Sequence, residues 1–469
     1  MERGFTIQRS KNSATRVGPT RYDIIVIGGG SAGFSVLSQL EGKKLKVALV
    51  ENRKLGGSCP NFACVPTKAL VKCASVLNTL NHADHFGAFC KRVGFDWATV
   101  QKYRASRVSM TAAQTAEKDL KEKGVDLIWG TASFVTPHEI KVGNRIYSAD
   151  QFAIATGSRE RLPNVVGSQS IGLLNSDEIV EIRRLPESLA ILGGGPVGIE
   201  LGQVFARFGV KVFVLHKLPE ILNREEPEVA ELARRHLSKD GVHFVLNAEL
   251  QSFSQKGQSK QIHLRQKGKK KMIATDQILT AIGRSANIGA LNLRSANVKL
   301  TEKGIQTNGY LQTTQSHIYA AGDVAGNMLF THVASYEGEI IGRNLLGKKI
   351  RATHEIIPRG TFCDPEIGSV GITEKNARKR NHKILTAILP YGGGRGFIHD
   401  DPEGLIKVIV DKKRRAILGA SVIGRGAAEF IHLLTIAMHA SLTVDDLGRM
   451  VYAFPTYAEA VGGIVSVLK

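Results

Sequence analysis

The segment YDIIVIGGGSAGFSVLSQL, residues 22–40, decides the fold of this chain. A β-branched run from Ile24 to Ile27 meets three glycines, and a helical pattern follows. A second apolar run, LKVALVE, ends in Glu51. Strand, Gly-rich turn, helix, strand and acid in this order are typical of a βαβ unit that binds a dinucleotide.

Three glycines of this segment, Gly28, Gly30 and Gly33, form a G-x-G-x-x-G pattern. The first permits a tight turn, the second lets the backbone approach a pyrophosphate, and the third lets the helix pack on the strand. N–H groups at the helix start then hold the phosphates. Glu51 stands where an acid would bond the ribose hydroxyls.

The same pattern returns in LAILGGGPVGIELGQVFARFG, residues 189–209, followed by the strand VKVFVL. Gly193, Gly195 and Gly198 occupy the three glycine positions, so two bound dinucleotides are predicted. His216 and Lys217 follow this second strand, where the first unit has its acid. An acid favours NAD, whereas basic residues favour the 2′-phosphate of NADP, so we predict a preference for NADPH.

Between and after these units, the chain alternates helical and strand-like segments. A helical region over 65–123 is followed by a strand-rich return, and from Arg351 strands precede helices. These patterns predict an α/β protein with two Rossmann-like dinucleotide-binding domains and a C-terminal α+β domain. The expected ranges are a basic, disordered leader (1–21), a first dinucleotide-binding part (22–158), a second dinucleotide-binding domain (159–285), a central part (286–350) and a C-terminal domain (351–469).

Composition excludes several classes of protein. The 469 residues are 43% apolar and 22% charged, which excludes disordered, collagen-like and disulfide-scaffold chains. Lys and Arg number 63 against 42 Asp and Glu, a formal net charge of +21. Its most basic run, residues 256–271, is typical of a solvated hairpin, and we expect no nucleic-acid partner. Without a long apolar run or a secretory signal, we expect no membrane span and a cytoplasmic protein.

A pair of cysteines lies in GGSCPNFACVPTKAL, residues 56–70. Gly57, Ser58 and Pro60 favour an irregular first helical turn, which brings Cys59 within bridging reach of Cys64. A helix N-terminus lowers a thiol pKa, so a thiolate is expected near neutral pH. No second cysteine pair or nearby histidine completes a zinc set, and no metal site is predicted. The other cysteines, Cys73, Cys90 and Cys363, are expected to be buried and inert.

In their order, these motifs resemble the class I pyridine nucleotide–disulfide oxidoreductases, a family that includes dihydrolipoyl dehydrogenase, glutathione reductase and mercuric reductase. The resemblance runs from Tyr22 to the C-terminus. It includes ATGS (155–158), AIGRSAN (281–287), AAGDV (320–324) and, imperfectly, YAFPTYAE (452–459).

The resemblance implies that residues 22–158 and 286–350 bind FAD and that residues 159–285 bind NAD(P). It also implies an obligate homodimer, with residues 351–469 as the dimerisation domain. It implies that NAD(P)H reduces the flavin, which reduces a Cys59–Cys64 disulfide, with Cys64 facing the flavin and Cys59 attacking the substrate. Lys68 is expected beside the flavin with Glu200 as its partner. The implied FAD ligands are Gly28, Gly30, Gly33, Glu51, Gly57, Ser58, Lys68, Thr156, Gly157, Ser158 and Asp323. The implied nucleotide ligands are Gly193, Gly195, Gly198, His216, Lys217, Gly283 and Arg284.

Two departures from the family pattern bear on the substrate. Ala63 replaces the usual glycine before the second cysteine. Disulfide-reducing members carry His-Pro-Thr with a following glutamate, whereas this tail reads Phe454, Pro455, Thr456 and Glu459. The general base is therefore missing. Tyr452 and Tyr457 flank the gap and either supply a hydroxyl or pack in the interface; His432 and His439 are expected in the core or the interface.

Three functions remain open. The leading one is an NAD(P)H-dependent FAD oxidoreductase that reduces a small acceptor, as mercuric reductase does. That acceptor is a metal ion, a reactive oxidant, a quinone-like compound or an unusual disulfide. The second is a dihydrolipoyl dehydrogenase of a 2-oxoacid complex, which needs the missing base. The third is a redox-responsive scaffold that binds FAD.

Overall fold

Residues 22–40 provide most of the central strand of the first sheet and the helix that follows it. The computed structural model describes residues 19–89, 91, 93–112, 115–401 and 403–468. Strand β1 pairs in parallel with β2 on one side and with β6 on the other. Ile24, Ile25 and Val26 are buried on both faces, as a central parallel strand requires. The strands of this first region are β1 (Thr20–Ile27), β2 (Val47–Glu51), β3 (Val125–Trp129), β4 (Ala132–Thr136), β5 (Glu139–Val142) and β6 (Arg145–Ile154).

The strand order in this sheet is β3-β2-β1-β6-β5-β4, with a later strand pairing β6 in parallel. Its helices include the dinucleotide helix α1 and a helical region that contains both candidate cysteines. These helices are α1 (Ser31–Leu40), α2 (Ser58–Asn61), α3 (Cys64–Asn81), α4 (Trp97–Ala112) and α5 (Glu117–Glu122).

The second unit forms a separate four-stranded parallel sheet of order β10-β9-β8-β14. A three-stranded antiparallel sheet, β11-β12-β13, is inserted in the chain between β10 and β14 of that sheet. The basic run 256–271 covers the turns of the antiparallel sheet, and Lys269, Lys270 and Lys271 are exposed, so the predicted solvated hairpin is confirmed. The elements are β7 (Ser158–Glu160), α6 (Ser176–Ile179), β8 (Ser188–Leu192), α7 (Pro196–Arg207), β9 (Lys211–His216), α8 (Pro227–Lys239), β10 (Val242–Leu246), β11 (Ala248–Lys256), β12 (Ser259–Gln266), β13 (Lys269–Thr275) and β14 (Gln277–Thr280).

The chain then returns to the first region before the C-terminal part begins. Strand β15 pairs with β7, β16 pairs with β6, and helix α9 packs along α1. Gly338 and Gly342 of α9 permit this close packing, because a Cβ atom on Gly338 would lie 2.4 Å from the Ala32 carbonyl oxygen. The elements are β15 (Arg284–Ala286), β16 (Ile318–Ala320), the 3₁₀ turn Gly322–Ala325 and α9 (Thr331–Leu345).

The C-terminal part is a five-stranded antiparallel sheet of order β17-β18-β21-β20-β19, with α12 packed against β18 and β21. Together with the mixed sheet of the first unit and the parallel sheet of the second, it confirms the predicted α/β class. The elements are β17 (Arg359–Thr361), β18 (Glu366–Gly371), α10 (Glu374–Lys379), β19 (Ile384–Pro390), α11 (Gly393–Ile398), β20 (Leu405–Asp411), β21 (Ile417–Gly424), α12 (Ala427–His439), α13 (Val444–Gly448) and α14 (Glu459–Gly462).

A buried ion cluster joins the C-terminal sheet to the second unit. Lys407 of β20 lies within 2.9 Å of carboxylate oxygens from Glu226, Glu228 and Glu374. Burial disfavours the ammonium ion, but the three carboxylates outweigh it and raise the pKa of Lys407. Removing the Lys407 ammonium group would leave the buried Glu226 carboxylate without a countercharge, which costs about 3–5 kcal/mol.

The structure corrects the predicted leader. Residues 1–18 lie outside the described residues, but Thr20 and Arg21 belong to β1 and pair with Tyr147 and Ser148. The strand starts earlier than expected because β6 is ten residues long and offers pairing partners to this end of β1. Within the described ranges, no helix is long and apolar enough to cross a membrane.

Candidate active site and dinucleotide cradles

The first glycine pattern forms a cradle that only glycine allows. A Cβ atom on Gly28 would lie 2.3 Å from the Ala155 carbonyl oxygen, and one on Gly33 would lie 2.0 Å from that of Gly28. Gly30 is less crowded, with Gly57 Cα at 3.8 Å from its Cβ position. The turn is tightly packed at Gly28 and Gly33 and open at Gly30, and a ten-residue helix follows it. This arrangement fits the pyrophosphate of a dinucleotide such as FAD.

The acid of the first unit stabilises its own loop. Glu51 Oε2 accepts a hydrogen bond from Gly29 N at 2.7 Å. Its Oε1 accepts from the backbone N–H groups of Asn52 and Arg53 at 3.0 and 2.7 Å. Glu51 is therefore held at the end of β2, beside the glycine turn.

The second cradle repeats this packing. The Cβ position of Gly193 lies 2.3 Å from the Ala281 carbonyl oxygen, and that of Gly198 lies 2.1 Å from the Gly193 oxygen. Gly195, the second glycine, has no atom within 4 Å of its Cβ position. His216 Nδ1 accepts from Gly194 N at 3.1 Å, which is the bond that Glu51 makes to Gly29.

This bond defines the protonation state of His216. Because Nδ1 accepts a backbone hydrogen, the imidazole is neutral and carries its proton on Nε2. Burial and the neighbouring Lys217 both lower the pKa of His216. Nε2 is buried and has no partner among the described residues. The expectation that His216 and Lys217 both attract a 2′-phosphate by their charge is therefore corrected: His216 is neutral, and the cation at this position is Lys217, whose side chain is exposed.

The two candidate cysteines lie at the start of a long helix. Cys59 is in the short helix α2, and Cys64 is the first residue of α3. Both are free thiols in this structure. Cys64 Sγ also lies 3.5 Å from Thr331 Oγ1, at the first residue of α9. The thiol of Cys64 is thus placed at two helix N-termini, where a negative charge is stabilised.

The cysteines differ in acidity. A hydrogen bond from Cys59, assisted by Thr331 and Lys68 against the effect of burial, lowers the pKa of Cys64 to about 6. The same hydrogen bond, together with burial, raises the pKa of Cys59. At neutral pH, Cys64 is therefore the thiolate and Cys59 the thiol. Thr331 was not predicted as a site residue; it begins α9, and residues 327–330 separate it from the AAGDVAG segment (320–326).

The predicted contact between Lys68 and Glu200 is present. Lys68 Nζ lies 2.7 Å from Glu200 Oε2, and Glu200 Oε1 accepts from Phe362 N at 2.9 Å. Lys68 also lies 4.7 Å from the centre of the Phe362 ring. Helix α3, helix α7 and the segment after β17 therefore meet beside the cysteines.

Ser158 and Asp323, which the resemblance implies as FAD ligands, belong to a polar network with Arg284. Ser158 Oγ donates to Asp323 Oδ2, and burial raises the pKa of Asp323. Arg284 donates from Nε to Ser158 Oγ at 2.6 Å and pairs with Glu160. The pairing of β15 with β7 brings the Arg284 side chain to Ser158. Its predicted role in the pyridine nucleotide loop stays a prediction.

The other predicted residues beside this network lie as follows. Thr156 Oγ1 donates to the Asn287 carbonyl oxygen at 2.9 Å, and Gly157 O accepts from Asn287 N at 2.9 Å. Gly283 has a φ of +110° and no atom within 4 Å of its Cβ position, so its backbone is open to a ligand. Ser58 is the first residue of α2, directly after Gly57.

The tail offers an apolar surface at the position of the missing base. The Phe454 side chain is exposed, at 79% of its maximum. The Tyr452 hydroxyl donates to the Leu447 carbonyl oxygen at 3.0 Å, and Tyr457 stacks on Tyr391 with a buried hydroxyl. Neither tyrosine replaces the histidine within this chain, because each hydroxyl is directed into its own domain.

The remaining predictions on the tail and the cysteines have mixed outcomes. Glu459 Oε2 accepts from Thr456 N at 3.0 Å and so stabilises the tail backbone. His432 and His439 are exposed on α12, which excludes the core, and their expected place in the interface stays a prediction. Cys363 is buried as predicted, Cys73 is only half-buried, and Cys90 lies outside the described residues. Within the described part, no three His, Cys, Asp or Glu side chains are arranged to hold a metal ion.

Two glycine cradles, an acidic thiol beside a lysine and an antiparallel C-terminal sheet define a flavoprotein that exchanges electrons between a pyridine nucleotide and a dithiol. Comparison of the sequence supports this class. The pyridine nucleotide-disulphide oxidoreductase family matches residues 22–338, and the dimerisation domain of that family matches residues 357–464. The chain belongs to this family, whose members use FAD and a pyridine nucleotide.

Individual relatives carry different names. The chain is 32% identical over 457 residues to a mercuric reductase of Staphylococcus aureus, covering 97% of this chain and 84% of that protein. It is 34% identical over 445 residues to a dihydrolipoyl dehydrogenase of Thermus scotoductus, covering 94% and 96%. Among solved structures, the HOCl-induced flavoprotein disulfide reductase RclA of Escherichia coli matches with a TM-score of 0.85 at 28% identity, covering 96% of this chain and 100% of that one. RclA has also been solved as a Cu(II) complex, with a similar match.

Proposed function

We propose that this protein is an NAD(P)H-dependent FAD oxidoreductase that passes electrons through Cys59 and Cys64 to a small acceptor, either a metal ion, a reactive oxidant or a quinone-like compound. The observation that carries the proposal is Phe454, an exposed apolar ring where disulfide-reducing relatives have a histidine. The names of the mercuric reductase relatives and of the Cu(II)-bound RclA structure favour the same classes of acceptor.

When bound, FAD supplies the transfer of two electrons between the nicotinamide and the cysteine pair. The chain orients that chemistry through the two cradles and through Lys68, which lies beside Cys64. Oxidation of the Cys59 thiol and the Cys64 thiolate to a disulfide releases two electrons and one proton, which the acceptor and solvent take up. A soft metal ion binds a thiolate directly and needs no protonated leaving group.

Reduction of a disulfide makes a different demand. Attack on a disulfide by Cys59, after its thiol has lost its proton, expels a thiolate from the substrate. A positioned acid–base group that takes up the first proton and delivers it to the leaving thiolate accelerates such a step by about 10²–10⁴-fold. The described tail provides no such group: Phe454 cannot donate a proton, and the hydroxyls of Tyr452 and Tyr457 are directed into their own domain. The apolar ring therefore favours small acceptors over peptide-like disulfides.

We infer that NADPH is preferred to NADH. Lys217 is an exposed cation beside the position where Glu51 stands in the first unit. His216 is neutral and its Nε2 is buried, so it offers no positive charge to a 2′-phosphate. The cradle of the second unit therefore lacks the acid that would repel a 2′-phosphate, and Lys217 adds attraction to one.

The active site is proposed to form in a homodimer. The match to a dimerisation domain supports this assembly, and Ile436, Val451 and Phe454 form exposed apolar positions on that domain. In the proposed dimer, each Phe454 faces the cysteines of the partner subunit. We place the protein in the cytoplasm, where a catalytic dithiol is kept reducible.

A dihydrolipoyl dehydrogenase is the second candidate, supported by the relative at 34% identity. Stopped-flow measurement of the two half-reactions separates the candidates. We expect fast flavin reduction by NADPH in both wild type and Phe454→His, and lipoamide turnover that is slow in the wild type and partly restored in the variant. Phe397→His, an equally exposed phenylalanine of the same domain, is the matched control and should restore nothing.

The outcomes of this experiment are distinct. Rapid lipoamide turnover by the wild type would establish the dehydrogenase and overturn the proposed acceptor class. A bound flavin that neither NADPH nor NADH reduces would point instead to a redox-responsive scaffold. Under the leading proposal, a screen of Hg²⁺, Cu²⁺, hypochlorite and quinones against the reduced enzyme should find rapid reoxidation by at least one.

A further inference from the structure

Glu337 is a buried carboxylate that the chemistry above does not use. It lies on the inner face of α9 with no exposed area. An ionised carboxylate in such a position requires hydrogen-bond donors or a countercharge. The donors that contact the Glu337 carboxylate therefore indicate its structural role.

The carboxylate bridges both ends of the turn that carries Asp323. Glu337 Oε2 accepts from Gly322 N at 2.6 Å, and Oε1 accepts from Asn327 Nδ2 at 3.0 Å. These two donors bracket the 3₁₀ turn Gly322–Ala325. Gly322 has a φ of +73°, a conformation that glycine adopts without strain, so Glu337 fixes the position of a turn that glycine permits.

The third donor comes from another part of the molecule. His354 Nε2 lies 2.7 Å from Glu337 Oε1. His354 belongs to the linker between α9 and β17, which leads into the dimerisation domain. Tyr336 positions this linker, because its hydroxyl accepts from Thr353 N at 2.9 Å and its ring packs edge-on against His354. Among the described contacts of Glu337, His354 is the side chain that can carry a positive charge.

We propose that Glu337 and His354 are positioning residues for the flavin: they hold the Gly322–Ala325 turn so that Asp323 meets the cofactor, and they couple FAD binding to the order of the linker at 351–356. The proposal rests on the proposed binding of FAD by the first unit. Because coupling is reciprocal, FAD should stabilise the linker as much as the linker stabilises FAD.

The test measures FAD binding to the apoprotein by titration, together with amide hydrogen exchange in residues 351–356 of the full chain. In His354→Ala, we expect the Kd for FAD to rise by about tenfold to a hundredfold, the range of a charge-assisted hydrogen bond. Added FAD should slow exchange in the linker of the wild type but not of this variant. His354→Gln retains an N–H donor and should recover most of both effects.

His317→Ala is the matched control. His317 bonds to the Pro137 carbonyl oxygen at 2.9 Å and stacks on His138, away from the turn, so this variant should bind FAD as the wild type does. Glu337→Gln keeps an acceptor for Gly322 N and serves as the second test of the pair; its Kd should rise as in His354→Ala.

Each outcome decides something. A Kd for FAD equal to that of the wild type in both His354→Ala and Glu337→Gln would overturn the coupling. Amide exchange rates in the wild-type linker that do not change on addition of FAD would also overturn it. Equal loss of FAD in His317→Ala would show a general loss of stability and would also overturn it. Failure of the wild-type apoprotein to bind FAD at all would instead reject the proposed function on which the inference rests.

Discussion

The two cysteines of the active site take different protonation states: Cys64 is a thiolate and Cys59 a thiol. Cys64 begins α3, contacts Thr331 and lies beside Lys68, whereas Cys59 donates its hydrogen to Cys64. Local donors and helix ends, more than burial, decide which thiol ionises, since both cysteines are partly buried.

This difference predicts distinct spectra. The reduced wild type should show a long-wavelength charge-transfer absorbance from the Cys64 thiolate to the flavin. The pKa of Cys64 is lowered to about 6, so the absorbance should be full well above that pH and disappear as the pH falls through it. Cys59→Ser should show the band without reductant, and Cys64→Ser should lack it. Identical behaviour of the two variants would reverse or abolish the assigned roles.

Nucleotide preference is also decided at single residues. Lys217→Ala should lower the preference for NADP⁺ over NAD⁺ by about tenfold or more, because a charge-assisted contact contributes roughly 1.5–3 kcal/mol. His216→Gln should change it little, whereas His216→Glu should shift it towards NAD⁺. Kd values from titration of each nucleotide measure these effects. The control is Lys211→Ala, which removes an exposed lysine at the start of β9. An unchanged preference in Lys217→Ala would show that Lys217 only faces solvent.

At the scale of elements, the glycine turn before α7 separates packing from binding. Gly198 touches the Gly193 oxygen, whereas Gly195 faces open space with an ordinary backbone conformation. Gly198→Ala should therefore lower the Tm by several degrees, because the added Cβ atom would lie 2.1 Å from the Gly193 carbonyl oxygen and the backbone would have to shift. Gly195→Ala should keep the Tm and weaken pyridine nucleotide binding. Thermal unfolding and nucleotide titration check the pair, and the reverse assignment would contradict the cradle.

Sequence patterns predicted these elements because their chemistry is local. The strand, the glycines and the acid of each unit lie within one βαβ segment, so spacing alone indicates how they meet. His216 occupies the position of Glu51, as the pattern indicates, but its neutral tautomer follows from burial and from a backbone contact that a sequence does not display. The same holds for Arg284, whose partners lie more than 120 residues away.

At the scale of the whole molecule, the apolar surface of the C-terminal part implies association. Ile436 is 64% exposed on the outer face of α12, and Val451 is 97% exposed. We expect the wild type to sediment as a dimer at micromolar concentration and Ile436→Glu to dissociate and lose turnover with the acceptor. Met272→Glu, a comparably exposed apolar residue on β13, should stay dimeric. A monomeric wild type with full activity would contradict the shared active site.

By itself, the sequence determined the α/β class, the two dinucleotide units, the reactive cysteine pair and the missing histidine at Phe454. Each of these depends on residues that are adjacent in the chain, where backbone geometry translates spacing into position. The tertiary structure alone decided the acidity of Cys64, the contacts of Arg284, the state of His216 and the bridge between Glu337 and His354. These depend on side chains brought together from distant segments, whose electrostatic and hydrogen-bond energies exist only once the chain has packed.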